Sequence, residues 1–315
     1  MRVLHAGKVP PKILKDHVFP FLGASDPDIL LEPGIGRDAA VLQIGRRILV
    51  ATTDPITGAI QNMGAYAVHI CANDIATFGV LPRWFLVTIL LPEGTDTNIL
   101  RDITTSMHNA AKSLNVAIIG GHTEVTPGIP RPIICGFMLG TASKGRYVTS
   151  TSAKPNNALI LSKGVGIEGT SILAWDRGKD LRRHLDDELI QQAQRFIEKL
   201  SVVPEAIQAM ELRAVTAMHD PTEGGVANGL HELADASKLG FIVNRGAIVI
   251  HEETRQICDI LQIDPLNLIA SGAMLMAVKP SKAHKVLAAL EQIDVDASII
   301  GTLVENPKTR LITEQ

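Results

Sequence analysis

The feature that most constrains this chain is an acidic residue, Asp74, inside a stretch with the pattern of a buried helix. From Gly64 onward, apolar residues recur at helical spacing, and Gly79 followed by Pro82 marks the C-terminal end of the helix. Burying a carboxylate without a partner is unfavourable. Asp74 must therefore be solvated, paired with a base or neutralised by a metal ion, and the pattern alone leaves these alternatives open.

Length and composition predict an ordinary globular protein. The chain has 315 residues, of which 46% are hydrophobic and 20% charged, so it can bury a large core, and its length favours two domains over one. The net charge is -3 and no basic cluster stands out, so we expect neither nucleic acid nor an anionic membrane as a partner. Aromatic residues make up only 3%, which also disfavours a stacking surface for single-stranded nucleic acid.

The compartment is predicted from the absence of apolar runs and from the cysteines. No apolar run reaches the roughly 20 residues that a membrane-spanning helix needs, and the N-terminus lacks the apolar core of a signal peptide. We therefore expect a cytoplasmic protein. Cys71, Cys135 and Cys258 are far apart in the sequence, a spacing that supports neither a disulfide framework nor a structural zinc site and favours buried thiols.

Three further acids occur beside glycines or at strand ends. Asp38 lies in a glycine turn, Gly34 to Val41, and Asp54 follows the strand predicted for Arg47 to Thr53. Asp220 follows an apolar strand and precedes Gly224-Gly225 at the start of a predicted helix. Glycines allow the backbone to approach a ligand closely, and an acid beside them can face a metal ion held by phosphates. Each turn taken alone is also compatible with a purely structural role.

A fifth unit, Gly120-Gly121-His122-Thr123-Glu124, follows the apolar run 116–119. We expect a buried strand that opens into a ligand-binding loop, as at the carboxyl ends of strands in α/β folds. The alternative is that His122 is only a hydrogen-bonded loop histidine. Lys8, in a basic N-terminal arm rich in proline, is suited to binding an anion, although a solvated tail without a role is an equal alternative.

Strands and helices alternate along the chain, which predicts an α/β fold without a fixed-period repeat. The composition changes between Gly145 and Asn157, where Ser, Thr, Lys, Pro and Asn predominate. We therefore predict an N-terminal domain, residues 1–148, and a C-terminal domain, residues 149–315. A glycine loop at 162–170 has neither the Walker spacing nor the dinucleotide-binding pattern, so we interpret it as a turn with free backbone donors.

Six motifs occur in a fixed order: GIGRDAAV, TTD, NDIATFGVLP, IIGGHTE, SKGVGIEGT and HDPTEGGV. Together they resemble the aminoimidazole ribonucleotide synthetase superfamily over nearly the whole chain. The resemblance implies an α/β (α+β) fold of two domains, an N-terminal sheet domain that forms a homodimer and a C-terminal domain with a ferredoxin-like core. It also implies ATP bound with Mg²⁺ in a cleft.

The resemblance assigns roles to single residues of this sequence. The acids that match the superfamily's metal positions are Asp38, Asp54, Asp74 and Asp220. Nucleotide contacts are expected at Gly120, Gly121, His122, Thr123 and Glu124, and a phosphate contact at Lys8. Superfamily members differ between acid and histidine at the positions of His122 and Glu124. No catalytic side chain is predicted, because positioning and charge stabilisation by metal-held phosphates serve this chemistry.

Within the superfamily the chain is most similar to the hydrogenase maturation proteins and their relatives. Those proteins carry their substrate on a C-terminal cysteine, whereas this sequence ends Thr309 to Gln315 and has no cysteine after Cys258. We therefore expect no self-carried carbamoyl group, and instead a separate acceptor, either a small molecule or a group borne by a protein. A partner protein of a maturation complex is also implied.

Two alternatives to this enzyme remain. One is a small-molecule kinase of the thiamine monophosphate kinase type, which uses an acid where this chain has His122. The other is a non-catalytic nucleotide-binding partner in a maturation complex. A selenophosphate synthetase is disfavoured because it needs a reactive residue near its N-terminus, and the first cysteine here is Cys71.

Overall fold

The computed structural model describes residues 4–5, 7–57, 59 and 61–314. Their strands form two six-stranded sheets, one in each half of the chain. The N-terminal sheet contains β1 (Ile29–Leu31), β2 (Ala40–Ile44), β3 (Arg47–Ile56), β4 (Pro82–Leu91), β5 (Ala117–Val125) and β6 (Ile133–Ser143). The C-terminal sheet contains β7 (Ala158–Ser162), β8 (Val215–His219), β9 (Gly240–Asn244), β10 (Leu275–Val278), β11 (Ala297–Val304) and β12 (Arg310–Thr313).

The α-helices are divided between the same two halves. The N-terminal helices are α1 (Pro11–His17), α2 (Met63–Thr77) and α3 (Thr97–Ser113). The C-terminal helices are α4 (Ile167–Asp176), α5 (Gly178–Leu181), α6 (Asp187–Gln194), α7 (Val203–Glu211), α8 (Gly225–Ser237), α9 (Glu252–Leu261) and α10 (Ala283–Glu291). Within the described ranges, no helix combines the length and the apolar character that a bilayer span requires.

The N-terminal sheet has the strand order β1-β2-β3-β6-β4-β5, and every neighbouring pair is antiparallel except β4 and β5. Helix α2 packs on β3, β4 and β6 and covers one face of the sheet. On β4, alternate residues such as Val87 and Ile89 are buried on the covered face, whereas Leu86 and Thr88 between them are only half-buried. Phe137 of β6, which pairs with Leu86, is 46% exposed. The described chain therefore leaves the second face of this sheet uncovered.

Helix α2 is the central element of the molecule. Twelve of its fifteen residues are buried, and Gly79, at φ +69°, follows its C-cap as the sequence predicts. Besides the N-terminal sheet it contacts α7 and β8 of the C-terminal half. Asn73 fixes this contact, because its side-chain amide donates to the carbonyl of Leu200 at 2.8 Å and its carbonyl accepts from the amide of Val202 at 2.9 Å. The helix that the sequence predicts therefore lies where the two halves of the chain meet.

The C-terminal sheet has the order β12-β9-β11-β7-β10-β8. Its central strands are buried on both faces, since all four residues of β10 are buried and four of the five residues of β7 are buried. Strands buried on both faces need an almost continuous apolar sequence, which these segments have. This sheet presents the end of β8, and with it Asp220, towards the N-terminal half.

The prediction of a buried strand opening into a loop at 120–124 is wrong. These residues lie within β5, an edge strand of the sheet, and every residue of β5 is exposed. The glycines have a structural function here: Gly121, at φ +153°, would place a Cβ only 1.9 Å from the carbonyl oxygen of Val87. A side chain at this position would prevent β5 from pairing with β4.

Candidate functional site

Four acids from separate parts of the chain meet at one cavity. Asp38 comes from the loop before β2, Asp54 from β3, Asp74 from α2 and Asp220 from the residue after β8, and all four line a cavity of about 500 Å³. Asp74 and Asp220 are 6% and 1% exposed, so they belong to the interior of the protein. The structure therefore brings together all four residues that the sequence predicts as metal ligands.

The glycine turn places Asp38 against α8. Gly36 has φ +68°, and a Cβ on it would lie 2.7 Å from the carbonyl oxygen of Glu232. Only glycine adopts this conformation freely and also allows such a close approach. The hydroxyl of Ser150 donates to the carbonyl of Gly36 and ties the turn to the segment between the two sheets. The turn thus has a packing role that fixes where the carboxylate of Asp38 lies.

His219, the last residue of β8, connects Asp38 to Glu232 of α8. Its Nδ1 lies 3.0 Å from Oδ2 of Asp38, and its Nε2 lies 3.0 Å from Oε2 of Glu232. Burial of the ring lowers the pKa of His219, but Asp38 and Glu232 outweigh this effect and hold the pKa well above its ordinary value. Both ring nitrogens of His219 are thus within hydrogen-bond distance of a carboxylate.

Lys8 adds a second cation on the same side. Its Nζ lies 3.4 Å from Oε1 of Glu232 and donates to the hydroxyl of Thr222 at 3.1 Å, while its backbone amide donates to Glu223 at 2.9 Å. Partial burial lowers the pKa of Lys8, but Glu232 and Asp38 raise it overall. The predicted phosphate-binding lysine thus lies at the rim of the acidic cavity.

Asp54, Asp74 and Asp220 form a group without a paired cation. The hydroxyl of Thr52 lies 2.6 Å from Oδ2 of Asp74, and both carboxylate oxygens of Asp220 lack a hydrogen-bond partner among the described residues. Burial raises the pKa of Asp54, although a hydrogen bond with Asp74 and the charge of Lys8 oppose this effect. Burial and the neighbouring acids raise the pKa values of Asp74 and Asp220 well above their ordinary range. Buried polar atoms in this state are rare in folded proteins unless a ligand or ion satisfies them.

The donor set fits a hard divalent cation. Single ligand atoms of Asp38, His219 and Asp220 lie within 4.8 Å of one another, close enough for one ion to contact all three. Both ring nitrogens of His219 also lie against carboxylates, Nδ1 against Asp38 and Nε2 against Glu232. Carboxylate oxygens are the ligands that Mg²⁺ prefers. The four aspartates therefore stay the predicted metal ligands, and His219 is a further candidate beside Asp38 and Asp220.

Residues 120–124, which are predicted to contact the nucleotide, lie away from the acidic cavity. Gly121 aligns with Val87, Gly136 and Asp54 across three strand pairings, which at about 4.8 Å each separate β5 from β3 by roughly 14 Å. His122 and Glu124 pair with Thr88 and Leu90, so they project from the uncovered face, opposite to Asp54. Within one chain the structure therefore does not bring residues 120–124 to the acidic cavity.

On β5 the polar residues interact with one another. Nε2 of His122 lies 2.9 Å from Oε2 of Glu124, and the hydroxyl of Thr126 donates to Oε1 of Glu124 at 2.7 Å. These contacts, with Thr126 first and His122 second, lower the pKa of Glu124. The role of these residues in nucleotide binding stays a prediction.

Reasoning from the sequence missed four polar residues of this region. They are His219 and Glu232, which contact Asp38 or Lys8, and the buried Glu168 and Ser271, which line an adjoining cavity together with Asp54. His219 carried a signal, because a histidine at the end of an apolar strand and directly before Asp220 needs a polar partner. Glu168 carried a weaker one, as an acid in a glycine loop at a helix start. Glu232 lies on an ordinary amphipathic helix and Ser271 in a short loop, and neither position is marked by any sequence pattern.

Two family models match the chain. The model described as AIR synthase related protein, N-terminal domain, matches residues 36–142, and that described as AIR synthase related protein, C-terminal domain, matches residues 154–314. A putative hydrogenase expression/formation protein of Methanocaldococcus jannaschii is 31% identical over 97% of this chain and 91% of its own length. Carbamoyl dehydratase HypE of Escherichia coli (strain K12) is 30% identical over 82% of this chain and 75% of its own.

Solved structures agree with these matches. Hydrogenase maturation protein HypE in complex with ATP superposes with a TM-score of 0.72 at 25% identity, covering 95% of this chain and 88% of that one. A thiamine monophosphate kinase from Aquifex aeolicus superposes with a TM-score of 0.73 at 16% identity over 96% of both chains, a likeness of fold alone. The predicted two-domain α/β fold is confirmed.

Proposed function

Because this chain belongs to the family of AIR synthase related proteins, we propose that it is an ATP- and Mg²⁺-dependent enzyme of the carbamoyl dehydratase type. In this reaction ATP activates the oxygen of an amide or carbamoyl group on an acceptor. The observation that carries the proposal is the group of four aspartates at one cavity, three of which form no salt bridge among the described residues. Such a group is unfavourable by itself and becomes favourable when it holds metal-bound phosphates.

Asp38, Asp54, Asp74 and Asp220 would hold Mg²⁺. When bound, the metal supplies neutralisation of the charge on the phosphate oxygens. Lys8 at the rim would bind a phosphate oxygen, and His219 would keep Asp38 in a fixed orientation through the bridge to Glu232. These residues bind and orient the reactants, and none of them has to act as a nucleophile.

The chemistry balances with ATP as the co-substrate. The amide oxygen forms a bond to the γ-phosphorus and the bond from that phosphorus to ADP breaks, while one N–H proton leaves and a carbon–nitrogen double bond forms. Loss of phosphate with the carbon–oxygen bond, together with the second N–H proton, then gives a nitrile. The products are ADP, phosphate and a dehydrated acceptor, and the amide oxygen ends in the phosphate.

The cysteines of this sequence do not supply the acceptor. Cys71 and Cys258 are buried. Burial raises the pKa of Cys71 far above its ordinary value and that of Cys258 to about 11, so neither forms a thiolate at neutral pH. Cys135 lies on the uncovered sheet face, which Asp54 does not share. We therefore propose a separate acceptor, and a mass gain of one carbamoyl or cyano group on the protein after incubation with carbamoyl phosphate, ATP and a carbamoyltransferase would contradict this.

We also propose that the protein is a homodimer in which the uncovered faces of two N-terminal sheets pack together. That face carries half-buried or exposed apolar residues on adjacent strands, including Leu86 and Phe137, and it continues onto the exposed strand β5. A second copy of the chain on this face would have two consequences. It would cover the apolar face, and it would bring His122 and Glu124 of one chain within reach of the other chain.

Sedimentation tests the dimer. We expect a species of twice 33.8 kDa at micromolar concentration, and Phe137→Asp should shift it towards monomer, because this change places a charge on the apolar face. Val18→Asp is a matched control, since Val18 is also exposed, at 47%, but lies next to α1. A monomeric wild-type protein at this concentration would refute the proposal.

The activity is tested by counting products. A dehydratase releases ADP and phosphate in equal amounts and only when an amide or carbamoyl acceptor is present, whereas a small-molecule kinase releases ADP and leaves the phosphate on the acceptor. A binding partner without activity would bind ATP and release neither. Asp220→Asn should abolish turnover. Turnover that survives this change would contradict the assignment of the site.

A further inference from the structure

A buried ion pair lies next to the contact between the two halves of the chain. Nζ of Lys163, in the glycine loop at 162–170, lies 2.8 Å from Oε1 of Glu205 in α7, and their side chains are 11% and 1% exposed. The hydroxyl of Ser162 donates to the same carboxylate oxygen at 3.0 Å. Neither charged residue lines the acidic cavity. Because desolvation opposes the attraction between buried charges, such a pair is weak evidence for stability and needs another explanation.

The ammonium group of Lys163 also holds a segment of backbone. It donates to the carbonyl of Lys199 at 2.9 Å and to that of Ser201 at 2.6 Å. Together with Glu205, these acceptors occupy all three N–H donors of the ammonium group. The lysine itself is anchored, because its backbone amide donates to the carbonyl of Asp296 at 2.7 Å. Lys163 and Glu205, which we call the lysine clamp, therefore fix the segment that precedes α7.

Asn73 of α2 holds the same segment from the N-terminal half of the chain. Its side-chain amide donates to the carbonyl of Leu200 at 2.8 Å, and its side-chain carbonyl accepts from the amide of Val202 at 2.9 Å. The lysine clamp binds the carbonyls of the residues immediately before and after Leu200. Four successive residues, 199–202, are thus bound alternately by the clamp and by α2.

The next residue of α2 is Asp74. Successive residues of an α-helix point about 100° apart, so Asn73 faces the segment before α7 while Asp74 faces the acidic cavity. Asp220 comes from the other half of the chain, after β8. A movement of α2 against that half would change the separation of these two carboxylates. Mg²⁺ requires near-ideal octahedral geometry, so such a movement would weaken its binding.

We propose that Lys163 and Glu205 are positioning residues of the metal site. By holding the segment before α7 they fix Asn73, and through Asn73 they set where Asp74 lies relative to Asp220. The inference rests on the proposed function, because it concerns Mg²⁺ and a nucleotide at the four aspartates. It also accounts for an ion pair at a buried position, since two apolar residues there would not bind the carbonyl groups.

Calorimetry on the full chain compares how tightly AMPPCP binds, in excess Mg²⁺, to wild type and to Lys163→Met/Glu205→Met. The double change removes both charges, whereas Lys163→Met alone would leave Glu205 buried and unpaired. We expect binding to be weaker by about tenfold or more, as for other outer residues that orient metal ligands. Glu198→Met/Lys285→Met, the same two changes at exposed positions outside the acidic cavity, should bind as wild type does.

Two more variants test whether the clamp acts through α2. In an Asp74→Asn protein, the double change should weaken binding by less than about twofold, because the carboxylate that the clamp positions is already missing. Asn73→Ala breaks the connection from the helix side and should weaken binding to wild type as the double change does. It replaces the double change in both comparisons if that variant shows no cooperative melting transition.

The outcomes separate the positioning role from the proposed function. Wild-type affinity in the clamp variant, or an equal loss with and without the carboxylate of Asp74, would overturn the positioning role and leave the proposed function intact. If wild type itself binds no AMPPCP with Mg²⁺, the proposed function fails and the positioning role fails with it.

Discussion

The two sides of the acidic cavity differ in how their charges are balanced. On one side, His219 and Lys8 are in contact with Asp38, Glu232 or both, at distances of 3.0 to 3.4 Å. On the other side, Asp54, Asp74 and Asp220 have no paired cation, and Glu168 lies beyond them, also buried. On the first side, residues of the chain itself balance the charges. On the second side, the group of acids becomes favourable only when protons or a metal ion neutralise it.

Aspartates on the two sides of the cavity have different roles. Asp38 lines the cavity with the other aspartates, yet it is held by the ring of His219, so its orientation does not depend on a ligand. Asp220 follows His219 directly in the sequence but has two carboxylate oxygens without partners. Asp38 and His219 are thus fixed by contacts within the chain, whereas the charge of Asp220 needs a ligand to balance it. Substitutions on the two sides should therefore have different effects.

The largest effect is expected from removing the cation of the balanced side. His219→Ala leaves Asp38 and Glu232 together without their shared donor, in a place where their side chains are 13% and 16% exposed. Breaking a buried pair in this way costs about 3 to 5 kcal/mol of unfolding free energy. Urea unfolding measures the loss, with Glu198→Gln as a control. A loss of unfolding free energy below about 1 kcal/mol would show that the Asp38–His219–Glu232 bridge does not hold this side of the cavity together.

The next effect concerns pH and the unbalanced side. The pKa of Glu168 is raised from 4.5 to about 7, so its folded form binds the proton more tightly than the unfolded form does. Its contribution to stability is therefore complete below pH 4.5 and is lost as the pH rises to 7. The loss is on the order of 3 kcal/mol.

Glu168→Gln should remove that part of the pH dependence and make the protein more stable than wild type at pH 8. Unfolding free energies at pH 5 and pH 8 measure it, with Glu198→Gln again as the control. If wild type and Glu168→Gln change in parallel between these values, Glu168 is not a strained buried acid.

A smaller effect is expected from neutralising a single aspartate of the unbalanced side. Asp74→Asn and Asp220→Asn each remove charge repulsion, so without metal their melting temperatures should equal or exceed that of wild type. Mg²⁺ with AMPPCP should stabilise wild type by about 2 to 3 kcal/mol at a hundredfold excess over its Kd and stabilise the variants much less. A strong drop in melting temperature with unchanged nucleotide affinity would instead identify a structural ion-pair partner.

The smallest effect on stability is expected at Lys8. Its side chain is 51% exposed, so Lys8→Met should change the unfolding free energy by less than about 1 kcal/mol. Its effect on AMPPCP affinity should be larger, because the lysine lies at the rim where phosphates would bind. Lys12→Met is the control, since Lys12 is exposed and bound to Asp16. Equal affinities of both variants would remove Lys8 from the site.

Local sequence patterns were enough to predict the helix α2 and to mark the four aspartates. Helical periodicity with Gly79 and Pro82 gave the bounds of α2 to within a few residues, because burial period and helix stop signals are local properties. Asp74 stood out for the same reason, as a charge on a face that the pattern buries. Asp38, Asp54 and Asp220 were marked by glycines or by strand ends, and the resemblance carried by the ordered motifs gave all four aspartates their predicted role as metal ligands.

How these segments come together depends on contacts between distant parts of the chain. The Asp38–His219 contact joins residues 181 positions apart, and the pairing of Glu168 with Ser271 depends on how α4 packs against segment 268–271. The motif at 120–124 was misjudged because the order of strands places β5 at the edge of its sheet, a fact that no local pattern contains. Sequence patterns report each segment's own conformation and burial, whereas strand order and the contact between the two halves are set by packing among distant segments.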